Sequence, residues 1–161
     1  MIKVIDKNQI DKYLEEIVDL RIKLNDMHVA CVDDVFKDNI VEDTRKDTIK
    51  AVNNPDCDIV IMEVDSKVMA YALVNYEKTI ETFDKKSRKL YYIQEIMISD
   101  TYQHQGLGKK MIEFLKKDAF QKGYKRIELD VWNFNQNAVN FYKKVGFREV
   151  QLIMSAELID E

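Results

Sequence analysis

A chain of 161 residues, 46% hydrophobic and 34% charged, has the size and composition of one ordinary domain with a real core, which excludes a disordered or low-complexity protein. A net charge of −4 excludes general affinity for nucleic acid, and two cysteines and two histidines without clustered spacing argue against a disulfide framework or a metal site. With one Pro, four Gly, no leader-like run and no apolar stretch long enough for a bilayer, the expectation is a single domain over 1–161, cytoplasmic, off the membrane and with reduced thiols.

The first element in chain order is the short strand IKVI at 2–5. Over 8–24 the apolar residues Ile10, Tyr13, Leu14, Ile17, Val18, Ile22 and Leu24 recur at helical period. Helical character returns between Val35 and Val52, and Asn53-Asn54-Pro55 stops it. Between Asp26 and Asp47, seven acids (26, 33, 34, 38, 42, 43 and 47) face three bases (37, 45 and 46), a local net of −4 that equals the imbalance of the whole chain. DIVIMEV and KVMAYALVNYE, separated by Asp65-Ser66, read as a β-hairpin. After the polar run 78–89, LYYIQEIMI at 90–98 is a third long strand.

A glycine loop follows and opens a helix whose apolar stripe is Leu107, Met111, Phe114, Leu115 and Ala119. Gly123 fits the residue past that helix's end. RIELDVW at 126–132 is a strand, 136–145 a helix ending near Gly146, and FREVQLIMSAELI supplies one or two last strands. The order amounts to an α/β chain with a mixed sheet.

The loop YQHQGLGKK admits three readings. A phosphate-binding loop of the G-x-x-x-x-G-K-[ST] type needs Gly at 103 and Ser or Thr at 110, where this chain has Gln103 and Lys110. A dinucleotide fingerprint needs a third Gly at 111, where Met111 stands, so a nucleotide-binding module is disfavoured even with Asp130 at the end of the next strand. The remaining pattern, Gln103-x-x-Gly106-x-Gly108, joins a strand directly to a helix. Glycines there let backbone amides approach an anion, and the helix N-terminus adds partial positive charge. A tight turn without ligand fits the loop equally well.

A second motif decides between them. NFNQNAVNFYKKVGF contains Asn135, Ala138, Phe141, Tyr142, Gly146 and Phe147 in the pattern N-x-x-A-x-x-F-Y-x-x-x-G-F. Together with YIQEIMIS and the glycine loop, it makes residues 92–147 resemble the core of the GNAT superfamily of N-acetyltransferases. The resemblance is looser over 58–76, where Ala70 stands at a position the family often gives to Gly, and Gln103 occupies a place where Arg is common.

The resemblance implies a mixed, mostly antiparallel central sheet with splayed strands and flanking helices, the acyl-CoA N-acyltransferase fold. It implies acetyl-CoA as cosubstrate, no metal, and transfer of the acetyl group to a primary amine of a small molecule or a peptide N-terminus. The pyrophosphate falls to Gln103, His104, Gln105, Gly106, Leu107, Gly108 and Lys109. The pantetheine arm falls to the edge of Ile96, Met97 and Ile98, to Asn135 and to the helix of Ala138. Tyr142 is implied at the thioester sulfur as general acid, and a backbone N–H near Met97 at the oxyanion.

Glu95, in line with Tyr91, Ile93 and Met97, is the candidate general base on a partly apolar face. A strand Glu paired to a neighbouring Lys explains it as well. In this family the N-terminal helices border the acceptor, so acids such as Asp33 and Asp34 fit a cationic amine, although a solvated surface accounts for them equally. A monomer and a homodimer paired through sheet edges both fit. The rival to an enzyme is a non-catalytic acyl-CoA-binding regulatory domain.

Overall fold

The computed structural model describes residues 1–100 and 105–158, and the chain divides into two compact units, Met1–Asp130 and Val131–Glu161. The first unit contains β1 (Ile2–Ile5), α1 (Ile10–Val29), α2 (Val41–Val52), β2 (Cys57–Val64), β3 (Lys67–Thr79), β4 (Arg88–Ile98), α3 (Leu107–Gln121) and β5 (Ile127–Leu129). Its sheet runs β1-β2-β3-β4-β5. The first four strands pair antiparallel, and β4 pairs parallel with β5 because α3 carries the chain back between them.

Local chemistry explains the elements. Asp65 and Ser66 both take positive φ (48° and 65°), the backbone of a two-residue hairpin turn that matches the twist of β2 and β3. Both sheet faces are covered by helices, which is why VMAYALV is a continuous apolar run and not an alternating one. On one face α1 presents Ile10, Tyr13, Ile17 and Leu20 to Ile59, Ile61, Tyr71, Leu73 and Met97. On α3, Met111, Ile112, Leu115 and Ala119 form the buried stripe. Each fully buried side chain of this size contributes about 1.5–3 kcal/mol of transfer free energy.

The expected elements are found with three differences. The helix expected over 8–24 runs on to Val29; His28 occupies a stripe position where only an apolar residue would have signalled the extra turn. The strand expected over 126–132 is confined to Ile127–Leu129.

The third difference lies in the second unit, which contains α4 (Gln136–Lys144). No strand is assigned between 147 and 158, where one or two were expected.

One irregularity governs the site. On β4, Glu95 pairs with Leu73 but Ile93 pairs with Val74, so Gln94 is an extra, bulged residue. Adjacent strand residues point to opposite faces. The bulge therefore places Tyr91 and Ile93 on one face and Glu95 and Met97 on the other. Simple alternation, which puts all four on one face, is corrected by this single inserted residue.

Candidate active site

Among the described residues, β4 is paired on both sides only over part of its length. Its parallel ladder to β5 runs through Tyr91–Ile127, Tyr92–Glu128 and Ile93–Leu129, and ends there. Ile96 and Met97 continue to pair with Ala72 and Tyr71 of β3 on the other side. The end of the β4–β5 ladder coincides with the bulge at Gln94.

From the end of β4 the chain leads to α3. Gly106 is its N-cap in the left-handed region (φ 75°) and has no side chain with which to cap the helix. The first turn carries no acid, while Lys109 and Lys110 are exposed. Lys110 N–H donates to Gly106 O at 3.2 Å, so the preceding amides of Leu107, Gly108 and Lys109 are the ones without an intrahelical acceptor. An anion fits this helix start. Gln105 is exposed beside it, and Gln103 and His104 lie outside the described residues.

The other end of α3 is tethered. Lys122 Nζ donates to Asp58 Oδ2 at 2.8 Å and to Asp118 Oδ2 at 2.7 Å, while Tyr91 Oη donates to Asp118 Oδ2 at 2.9 Å. Tyr76 Oη hydrogen-bonds the same Asp58 oxygen, and its ring stacks with that of Tyr124. These contacts fix α3 against β2, β3 and β4, and with it the direction in which its N-terminus points.

On the α1 face, Glu95 sits in a network drawn from four elements. Arg21 of α1 donates from Nε to Glu95 Oε2 at 2.9 Å and from Nη2 to Oε1 at 2.8 Å. Tyr71 of β3 donates to Oε2 at 2.8 Å. Arg21 also donates from Nη1 to Thr48 Oγ1 at 2.8 Å and from Nη2 to Asp47 Oδ2 at 2.9 Å, both on α2. Burial acts to lower the Arg21 guanidinium, but the bonds to Glu95 and Asp47 outweigh it and raise it further. Burial, followed by the Glu95 charge, lifts the Tyr71 hydroxyl well above its ordinary value, so it remains a donor.

The partner of Glu95 is therefore a buried arginine and not a surface lysine. Both carboxylate oxygens are engaged, and the Arg21–Asp47–Glu95 group carries a net charge of −1. Sequence reading missed Arg21, Tyr71 and Thr48. The available signal was a charged residue four positions after Ile17 on the core stripe of α1, which must find a buried partner.

Other sequence-derived residues are placed as follows. Asp33 and Asp34 are exposed in the segment between α1 and α2 and make no ion pair among the described residues. Asn135 is the N-cap of α4, its side chain accepting Ala138 N–H at 3.1 Å, which leaves its amide NH2 as a donor. Tyr142 lies on α4 with Phe141 and Phe147 around its ring, at 5.4 and 5.7 Å between centroids. Burial pushes its hydroxyl up to about 12, so it is protonated at neutral pH. The described residues hold no cluster of three or more metal-ligating side chains, and no helix among them is long and apolar enough to cross a membrane.

Known proteins agree with this architecture. The family model described as Acetyltransferase (GNAT) family matches residues 22–147. An N-acetyltransferase from the pepI 3' region of Lactobacillus delbrueckii subsp. lactis is 29% identical over 120 residues, covering 68% of each chain. The crystal structure of a mutant of the BH1408 protein from Bacillus halodurans superposes with a TM-score of 0.90 at 23% identity, covering 99% of both chains. The aminoglycoside acetyltransferase AAC(6')-Iy, solved with a bisubstrate analogue of CoA and acetylneamine, superposes with a TM-score of 0.75 at 14% identity, covering 99% of this chain and 98% of that one. The chain belongs to the acetyltransferase (GNAT) family and is an acetyl-CoA-dependent N-acetyltransferase.

Proposed function

We propose that the chain moves an acetyl group from acetyl-CoA onto the primary amine of a cationic small molecule, by direct transfer in a ternary complex. The observation that carries this reading is the end of the β4–β5 ladder at Ile93–Leu129, on the strand that leads into the glycine-capped, acid-free start of α3. The family match spans 22–147, across both units, which supports reading 1–161 as one acetyltransferase domain.

In this reading the loop Gln103–Lys109 holds the pyrophosphate through backbone amides and the helix N-terminus. The edge of Ile96, Met97 and Ile98 receives the pantetheine amides as an added strand, and the Asn135 amide and the α4 turn of Ala138 hold the same arm. Bound acetyl-CoA supplies the activated acyl group. A backbone N–H near Met97 stabilises the oxyanion, and the Tyr142 hydroxyl, protonated at neutral pH, gives a proton to the departing thiolate.

Three donors already engage the Glu95 carboxylate, Arg21 twice and Tyr71 once, so its contribution is assigned to charge and not to proton abstraction. The −1 of the Arg21–Asp47–Glu95 group and the exposed Asp33 and Asp34 favour a cationic acceptor. The aminoglycoside in the AAC(6')-Iy complex is an acceptor of that kind.

Calorimetric titration of acetyl-CoA into the wild type and Gly108→Val tests the cosubstrate site. Affinity should fall by about tenfold or more in the variant, about 1.4 kcal/mol, while its helical content is retained. Equal affinity would remove the glycine loop from the site.

A further inference from the structure

Three contacts trace α1 across the sheet. Tyr13 Oη donates to Glu63 Oε2 of β2 at 3.2 Å, Glu16 accepts Val68 N–H of β3 at 2.8 Å, and Arg21 reaches Glu95 of β4. Successive turns of the helix thus move across successive strands, which lie about 4.8 Å apart. His28 stands two turns beyond Arg21, about 10 Å further along the axis, on the stripe that carries Ile17, Arg21 and Leu24. It therefore lies past β4, on the side where the ladder to β5 ends at Leu129.

The local packing supports a chemical role for this side chain. Phe36, from the segment between α1 and α2, stacks on the imidazole with 4.7 Å between ring centroids and 20° between planes. His28 is half-buried. Burial lowers its proton affinity below the ordinary histidine range, against the pull of the Glu95 carboxylate. The charged group whose field reaches it is Glu95 of β4, which Arg21 on the same helix and Tyr71 of β3 bind and which Arg21 links to Asp47 of α2.

We infer that His28 is the general base of the transfer, taking a proton from the acceptor ammonium beside β4. The inference rests on the proposed amine acetylation. An acceptor ammonium first gives one proton to the imidazole. The neutral nitrogen then attacks the acyl carbon with its lone pair, the C–S bond breaks with its electrons on sulfur, and the thiolate takes its proton from the acid assigned to Tyr142. The second nitrogen proton returns to the Tyr142 oxygen, and His28 releases its own proton to solvent. The Glu95 carboxylate, bound by Arg21 and Tyr71, stabilises the imidazolium formed in the first step.

A neutral base gives activity that rises with pH through its own titration and is lost below it. The test measures thiol release from acetyl-CoA from about pH 5 to about pH 9, with neamine and 1,5-diaminopentane as probe amines, for wild type and His28→Gln. Acetyl-CoA binding is followed by calorimetry in both. The expected result is a kcat lower by roughly a hundredfold or more in the variant, loss of the acidic limb of kcat/KM, and unchanged acetyl-CoA affinity. In the wild type, the His28 imidazole resonance, from one of only two histidines in the chain, should titrate at the midpoint of that limb. A variant that keeps kcat and the limb overturns the inference, as does an imidazole that titrates away from the kinetic midpoint even where the variant fails to fold. A wild type that binds acetyl-CoA yet acetylates neither probe overturns the underlying reading of the acceptor.

Discussion

Arg21 closes its fork on Glu95 across the interface between α1 and β4, Nε to Oε2 at 2.9 Å and Nη2 to Oε1 at 2.8 Å. The pair joins the first helix of the chain to the strand at the centre of the proposed site, 74 residues apart in sequence.

Removing one half of this pair strands the other. Arg21 is 9% exposed and Glu95 23% exposed, too little for water to replace a lost partner fully. Arg21→Met should destabilise the fold by about 3 kcal/mol, measured as a shift of the urea unfolding midpoint at constant slope. Arg21→Met with Glu95→Leu should be less destabilised than Arg21→Met alone, because the charge that then lacks its partner is Asp47, which at 55% exposure is hydrated. Additive losses in the double variant would mean that the pair is not coupled.

Gly106 holds φ 75° with nothing within 4 Å of an added Cβ, so substitution meets strain and not a clash. Gly106→Ala should cost about 1 kcal/mol of stability from the left-handed backbone alone, read by thermal unfolding. A larger loss would show that the helix start depends on contacts this geometry lacks.

How far could these features be read from sequence? The hairpin turn at Asp65-Ser66, the helix start at Gly106 and the helix stop at Gly123 were legible, because each places a turn-competent residue between runs of clear period. Residues 92–147 carried the family resemblance, since Gly106, Gly108, Asn135 and Tyr142 lie at fixed spacing within two local segments.

The facing of Glu95 was not legible. A bulge at Gln94 reverses the alternation without any glycine to mark it, and its cause is pairing with β3. Arg21 was missed for a related reason: on its own helix it looks like a break in an apolar stripe, and only the arrival of β4 gives it a partner. Long-range pairing decided both, and local pattern does not encode it.

The pH dependence of folding has a defined source at Glu63. Hydrogen bonds from Lys3 and Lys12 hold its carboxyl down to about 2, against an ordinary value of 4.5. A depressed folded-state value means that the stabilisation is fully present above the unfolded value and is lost as pH falls from 4.5 toward 2. Glu63→Gln should therefore flatten the slope of stability against pH in that window and leave the slope from there to neutral pH unchanged. An unaltered acid slope in urea unfolding would contradict the assignment.

Tyr142→Phe should lower kcat by roughly 10²–10⁴ and leave acetyl-CoA affinity as it is. The wild-type hydroxyl, raised to about 12 by burial, remains protonated through neutral and mildly alkaline pH. No alkaline loss of activity from its ionisation should therefore appear below about pH 10. Unchanged turnover in the variant would remove Tyr142 from the mechanism.

The central claim, acetyl transfer to a cationic amine, is tested most directly by thiol release from acetyl-CoA across a matched panel of diamines, aminoglycosides, amino acids, peptides and neutral-chain monoamines. The account predicts product acetylated at a primary amine, with kcat/KM at least about tenfold higher for polycationic acceptors, one factor of ten being about 1.4 kcal/mol, and a preference that weakens in Asp33→Asn with Asp34→Asn. Equal kcat/KM for polycationic and monocationic amines, or acetyl-CoA binding without thiol release to any amine, would contradict it.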